Sequence, residues 1–104
     1  MVARKLHEIA HARSGDKGDV SNLSLIPFDA SHYPTLVAQV TAARVADHFA
    51  PLGVTAVERY EMPRVHALNF VLRGALGGGV TVSLRLDPHG KSLSYALLEL
   101  DVEI

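Results

Sequence analysis

Hydrophobic and polar positions alternate most regularly from Val80 to Leu86. Val80, Val82, Leu84 and Leu86 fall on one side and Thr81, Ser83 and Arg85 on the other, the period of two of a half-buried strand. Asp87-Pro88-His89-Gly90 ends it, because proline fixes φ and glycine permits a positive one. A second strand runs from about Ser21 to Ile26, with Leu23 and Leu25 on the core side and Pro27 closing it. A third spans Val54 to Met62, where the alternation is irregular and Pro63 holds Met62 extended.

Helical spacing dominates elsewhere. Pro34 to Phe49 reads as one amphipathic helix, with Val37, Val40 and Phe49 inward, Ser31 or His32 at its start and Gly53 just past its end. Arg64 to Arg73 reads as a second, with Val65, Leu68 and Leu72 as its stripe. Ser92 to Leu100 reads as a third, with Leu93, Ala96, Leu97 and Leu100. The stretch Arg4 to Ala12 admits two readings: Val2, Leu6, Ile9 and Ala10 fit a helical stripe, while a strand there completes a sheet. As a strand it gives the order ββαβαβα, with strands two, three and four parallel and strand one antiparallel to strand two. The expected fold is a two-layer α+β sandwich, helices on one face of a four-stranded mixed sheet. Residues 1–104 carry no repeat or linker and read as a single domain.

Composition narrows the function classes. With 104 residues, 48% hydrophobic and 20% charged, the chain can bury a core without a wide margin. A net charge of −1 and the lack of tryptophan argue against a nucleic-acid-binding face. The absence of cysteine excludes disulfides, thiolate catalysis and iron–sulfur clusters. No apolar run approaches the roughly 18 residues needed to cross a bilayer. Met1 to Arg13 lacks an apolar leader core, so a cytoplasmic location is expected.

Three motifs bear chemistry. His7-Glu8-Ile9-Ala10-His11 matches the zinc-hydrolase pattern H-E-x-x-H, which needs a helix to bring both imidazoles to one ion. On a strand the two stand roughly 13 Å apart. No third ligand follows at a matching spacing, so no metal is expected. Arg13-Ser14-Gly15-Asp16-Lys17-Gly18-Asp19, with Ser21 and Asn22, is the densest polar run. Its glycines let backbone N–H groups converge on an anion while Arg13 and Lys17 add charge; the competing reading is a solvated hairpin of mutually paired charges. On the expected second helix, His66, Asn69, Phe70 and Arg73 share a stripe, offering an imidazole for proton transfer, an amide for orientation and a guanidinium for an anion. The alternative is a solvated helix face. Gly74-Ala75-Leu76-Gly77-Gly78-Gly79 follows a helix end, which disfavours phosphate and leaves close approach of a ligand or another chain, or a simple C-cap and bend.

Together these segments resemble a known family. Ala12 to Asp19 with Asn22 is similar to the loop of the small C-terminal domain of acyclic terpene utilisation (AtuA-like) proteins. Tyr60-Glu61-Met62-Pro63, His66 to Leu72, Gly74 to Gly79, and Ser83 to Asp87 with Gly90-Lys91 continue the likeness. The resemblance implies a ferredoxin-like fold, which favours the strand reading of Arg4 to Ala12. It also implies a place in acyl-CoA catabolism of branched or terpenoid acids, and a large AtuA-like subunit, or a second copy, as partner. The resemblance carries over no catalytic residue; by their chemistry His66, Asn69 and Asp16 are the catalytic candidates. Arg13, Ser14, Gly15, Lys17, Asp19, Asn22, Arg73, Gly77, Gly78 and Gly79 are the ligand-binding candidates. The ligand is a small carboxylate or an acyl-CoA, with no cofactor, nucleic acid or membrane. A self-sufficient acyl-CoA hydratase or isomerase is the alternative, and a zinc hydrolase a third.

Overall fold

The computed structural model describes residues 2–17, 20–74 and 91–104. Strand β1 (Ala3–Lys5) leads into a single helical turn, α1 (Leu6–Ile9), and then β2 (Ala10–Lys17) and β3 (Val20–Pro27). Helices α2 (Tyr33–Gln39) and α3 (Ala42–Phe49) follow. The hairpin β4 (Ala56–Met62) and β5 (Ala67–Arg73), helix α4 (Lys91–Leu97) and β6 (Asp101–Glu103) complete the described chain. The fold is α+β. Four of the described strands form a sheet in the order β2-β3-β5-β4, and β1 pairs with β6 in a separate ribbon. Every pair among the described strands is antiparallel. Among the described residues, no helix is long and apolar enough to cross a membrane.

Alternation decides which side of the sheet is covered. Leu23 and Leu25 of β3 and Leu68, Phe70 and Leu72 of β5 are fully buried on one side. Against them lie Leu36 and Val40 from α2 and its end, Val45 and Phe49 from α3, and Leu93 and Leu97 from α4. Each such side chain removed from water contributes about 1.5–3 kcal/mol before entropy is counted. The intervening residues face the other way, and Arg13, Asn22, Glu58, Tyr60, Met62 and Arg73 there are exposed.

Several expectations are corrected. Arg64 to Arg73 is not a helix: Pro63–Val65 makes one 3-10 turn, His66 takes a left-handed φ of 53°, and β5 begins. Leu68 and Leu72 fit both periods, and Phe70 decides between them. In a helix it would share the solvent stripe of Asn69, whereas in a strand it joins the buried pair, with hydrogen-bonded neighbours on both sides. The extra strand makes β4 and β5 a hairpin, so the order ββαβαβα does not hold: β3 and β4 run parallel as expected, but β5 lies between them, antiparallel to both. The single helix Pro34 to Phe49 is two. Thr41 Oγ1 accepts from the Arg44 N–H at 3.2 Å and starts α3 afresh, while Arg59 Nη1 donates to the carbonyls of Val37 (2.7 Å) and Val40 (3.0 Å) and ends α2.

The strands near Ser21 and Val54 match β3 and β4, and the helix near Ser92 matches α4, which stops at Leu97. The strand Val80 to Leu86 lies outside the described residues. Arg4 to Ala12 divides between both readings, with α1 flanked by β1 and β2. The Lys5 N–H donates to Glu8 Oε2 at 2.9 Å, closing that turn.

Candidate functional site

The hairpin of β2 and β3 and the outward residues of β5 do meet, as neighbouring strands. Arg13 of β2 stands opposite Ser24 of β3, Ser24 opposite Asn69 of β5, and Asn69 opposite Tyr60 of β4. These four form one row across the open side of the sheet, and Gly15, Asn22, Val71 and Glu58 form the next. Adjacent strands are about 4.8 Å apart, so side chains in a row touch.

Asn69 organises the centre. Its Nδ2 donates to Asn22 Oδ1 at 2.9 Å and makes a long contact of 3.4 Å with Ser24 Oγ. With both acceptors so engaged, the Asn22 amide N–H groups and the Ser24 hydroxyl hydrogen remain as donors, and neither donates to another described residue. Asn69 Oδ1 is buried and has no hydrogen-bond partner among the described residues. Such an unmet acceptor costs roughly 1–3 kcal/mol. The two rows therefore combine a cation (Arg13) with free donors (Asn22, Ser24), a set matched to a carbonyl or carboxylate.

Arg73 shares this side of the sheet with its charge already paired. Its Nε and Nη2 donate to Glu58 Oε1 at 3.2 and 3.0 Å, and Tyr60 donates to Glu58 Oε2 at 3.2 Å. Arg13 forms no ion pair among the described residues. Ser14 faces the opposite side of β2 from Arg13, with its Oγ buried and unpartnered among the described residues. Gly15 has an open surrounding and is not required by space. Residues Arg13 to Lys17 belong to a strand in register with β3, so their backbone serves the ladder and does not curl into an anion nest. Ser21 Oγ donates to the Gly15 carbonyl at 3.3 Å and ties the two strands. Asp19, Gly77, Gly78 and Gly79, and the side chains of Asp16 and Lys17, lie outside the described residues.

His66 does not join the row, and the shared helical stripe with Asn69, Phe70 and Arg73 does not exist. It precedes β5 at the corner, exposed, with its ring edge-on to Tyr33 at 5.7 Å. Tyr33 in turn donates to the Ala67 carbonyl at 3.2 Å, fixing that corner. Along an extended strand His66 stands about 10 Å from Asn69 and, from the register, about 17 Å from the Asn22 position and about 22 Å from that of Asp16. Phe70 points into the core.

The H-E-x-x-H pattern does not assemble. Helix α1 ends at Ile9, His11 lies in β2, and its ring stacks on Phe28 at 5.6 Å. Among the described residues no group of three His, Cys, Asp or Glu side chains could hold a metal ion. With no cysteine in the chain, an iron–sulfur cluster finds no thiolate ligands, so the likeness to ferredoxin concerns fold only.

Ser24, Glu58 and Tyr60 were not among the sequence candidates. The outward position of Tyr60 and Glu58 follows from reading Val54 to Met62 as a strand. Their nearness to Asn69 follows only once Ala67 to Arg73 is a strand as well.

A family model for the AtuA ferredoxin-like domain matches residues 4–103. Comparison with curated proteins and with solved structures finds no match. The match runs unbroken from β1 to β6, through every strand of the sheet that carries the polar row: the chain belongs to the AtuA ferredoxin-like domain family.

Proposed function

We propose that this domain is the accessory part of a cytoplasmic AtuA-type assembly. It docks by the open side of its sheet on a large AtuA-like subunit and lends donors to a shared site for an acyl-CoA or related carboxylate. The observation that carries this reading is the row Arg13–Ser24–Asn69–Tyr60, left uncovered by the described helices and holding on Asn69 a buried acceptor unmet among the described residues. Around the end of that face stand Phe28 (65% exposed), Met62 (44%) and Val65 (59%), apolar side chains suited to an interface.

In this site Arg13 holds an anionic oxygen, with Lys17 of the same strand as second cation. Asn22 and Ser24 donate to a carbonyl, and Asn69 positions both. His66, at the corner, serves as acid or base toward the far end of an extended acyl chain or toward the partner. A self-sufficient hydratase or isomerase would need His66 beside Asp16, Asp19 or Asn22, and about 17 Å separates His66 from the Asn22 position.

Co-expression with a large AtuA-like protein tests the proposal. The two co-purify and the pair binds acyl-CoA, whereas Tyr60→Ala weakens capture and Asn69→Leu removes acyl-CoA binding without changing the circular dichroism spectrum. A stable monomer that ignores the large subunit overturns it, and a homodimer that binds acyl-CoA without that subunit replaces it with self-assembly.

A further inference from the structure

Between β2 and α4 the surface folds into a recess of about 380 Å³ lined by Ala12, Arg13, Ser14, Ser94 and Tyr95. That volume lies at the small end of those that hold an organic molecule. Arg13 and Ser14 are consecutive on a strand, so their side chains leave from opposite faces. Both nonetheless line the recess, with β2 last in the order of described strands. Ser14 Oγ is buried with no hydrogen-bond partner among the described residues, a condition folded proteins rarely leave unmet away from a ligand or water. Arg13, beside it, forms no ion pair among the described residues. Ala12 and the ring of Tyr95, 70% exposed, add an apolar flank.

We propose that this recess binds the carboxylate end of a small ligand with a short apolar tail. One carboxylate oxygen accepts from the Arg13 guanidinium, the Ser14 hydroxyl donates to the other once a turn about χ1 brings it from its buried position into the recess, and the tail lies on Ala12 and Tyr95. A guanidinium and one hydroxyl match two coplanar oxygens. A phosphate brings a further oxygen and more charge, for which the described lining holds no second cation. The choice of a carboxylate rests on the substrate class of the proposed function, but the recess exists without any partner chain.

The full chain, labelled with nitrogen-15, is titrated with butyrate, butyramide and inorganic phosphate while the amides of β2 and α4 are followed. Butyrate produces saturable shifts at Ala12 to Ser14 and at Ser94 and Tyr95, and butyramide produces none. Arg13→Gln and Ser14→Ala each weaken butyrate about tenfold while the remaining cross-strand signals of β2 and β3 stay in place. Phosphate saturating the same amides more tightly than butyrate, an equal response to butyramide, or unchanged affinity in Arg13→Gln each overturns the proposal. These outcomes say nothing of docking, so failure here leaves the accessory role standing, and loss of docking with intact butyrate binding does the reverse.

Discussion

Arg59 lies on the helix-facing side of β4, its side chain only 19% exposed, and holds the carbonyls that end α2. Arg59→Met removes both charge-assisted bonds and leaves buried acceptors unmet. Urea denaturation is expected to show a loss of about 2–3 kcal/mol, with Arg59→Lys recovering part of it. Asp29 makes a smaller contribution of the opposite charge. Hydrogen bonds from the Ser31 backbone N–H (2.9 Å to Oδ1) and side chain, with His32 nearby, hold its carboxyl below the usual carboxylate range. A depressed value means that its contribution is present above the unfolded pKa, near 3.9, and disappears as pH falls through the lower folded value. The Ser31 amide resonance is therefore expected to titrate only below about pH 4. A midpoint above that would contradict the cap. Neither role is announced by the sequence, since an arginine at position 59 reads equally well as a solvated charge on a strand.

At the scale of elements, the account turns on β5. If Ala67 to Arg73 is a strand, Phe70→Ala empties the core at a loss of about 3–5 kcal/mol, while Asn69→Ala on the open side changes stability by less than about 1 kcal/mol. Equal losses at the two positions would favour a helix with both on one stripe. Gly74 closes β5 at a φ of 90°, where a Cβ would come within 3.0 Å of the Gly53 carbonyl oxygen. Gly74→Ala is accordingly expected to lower the thermal midpoint, by about 1–3 kcal/mol in free energy. Strand β3 was legible because alternation and a terminal proline agree, and β4, whose alternation is irregular, chiefly because Pro63 holds Met62 extended. Strand β5 was hidden because Leu68 and Leu72 satisfy the helical and the extended period alike. The division between α2 and α3 was hidden because its causes lie partly on β4, at Arg59. The meeting of Asn69 with Asn22 and Ser24 was hidden with β5, because it needs that strand beside β3. A sequence gives outward positions long before it gives strand order.

On the scale of the whole molecule, the described helices fill one side of the sheet with apolar contacts and leave the other polar at its centre and apolar at one end. That asymmetry is what an accessory domain requires: a core stable by itself and a face whose hydrogen bonds are incomplete without a partner. The chain belongs to the AtuA ferredoxin-like family, and the large AtuA-like subunit of the proposed function is the partner to test. Hydroxyl-radical footprinting of the chain, free and mixed with a large AtuA-like subunit, addresses the claim directly. Phe28, Tyr60 and Met62 should oxidise readily in the free chain and be protected in the mixture. Unchanged oxidation of all three in a mixture that still forms a complex would contradict docking through the open side of the sheet.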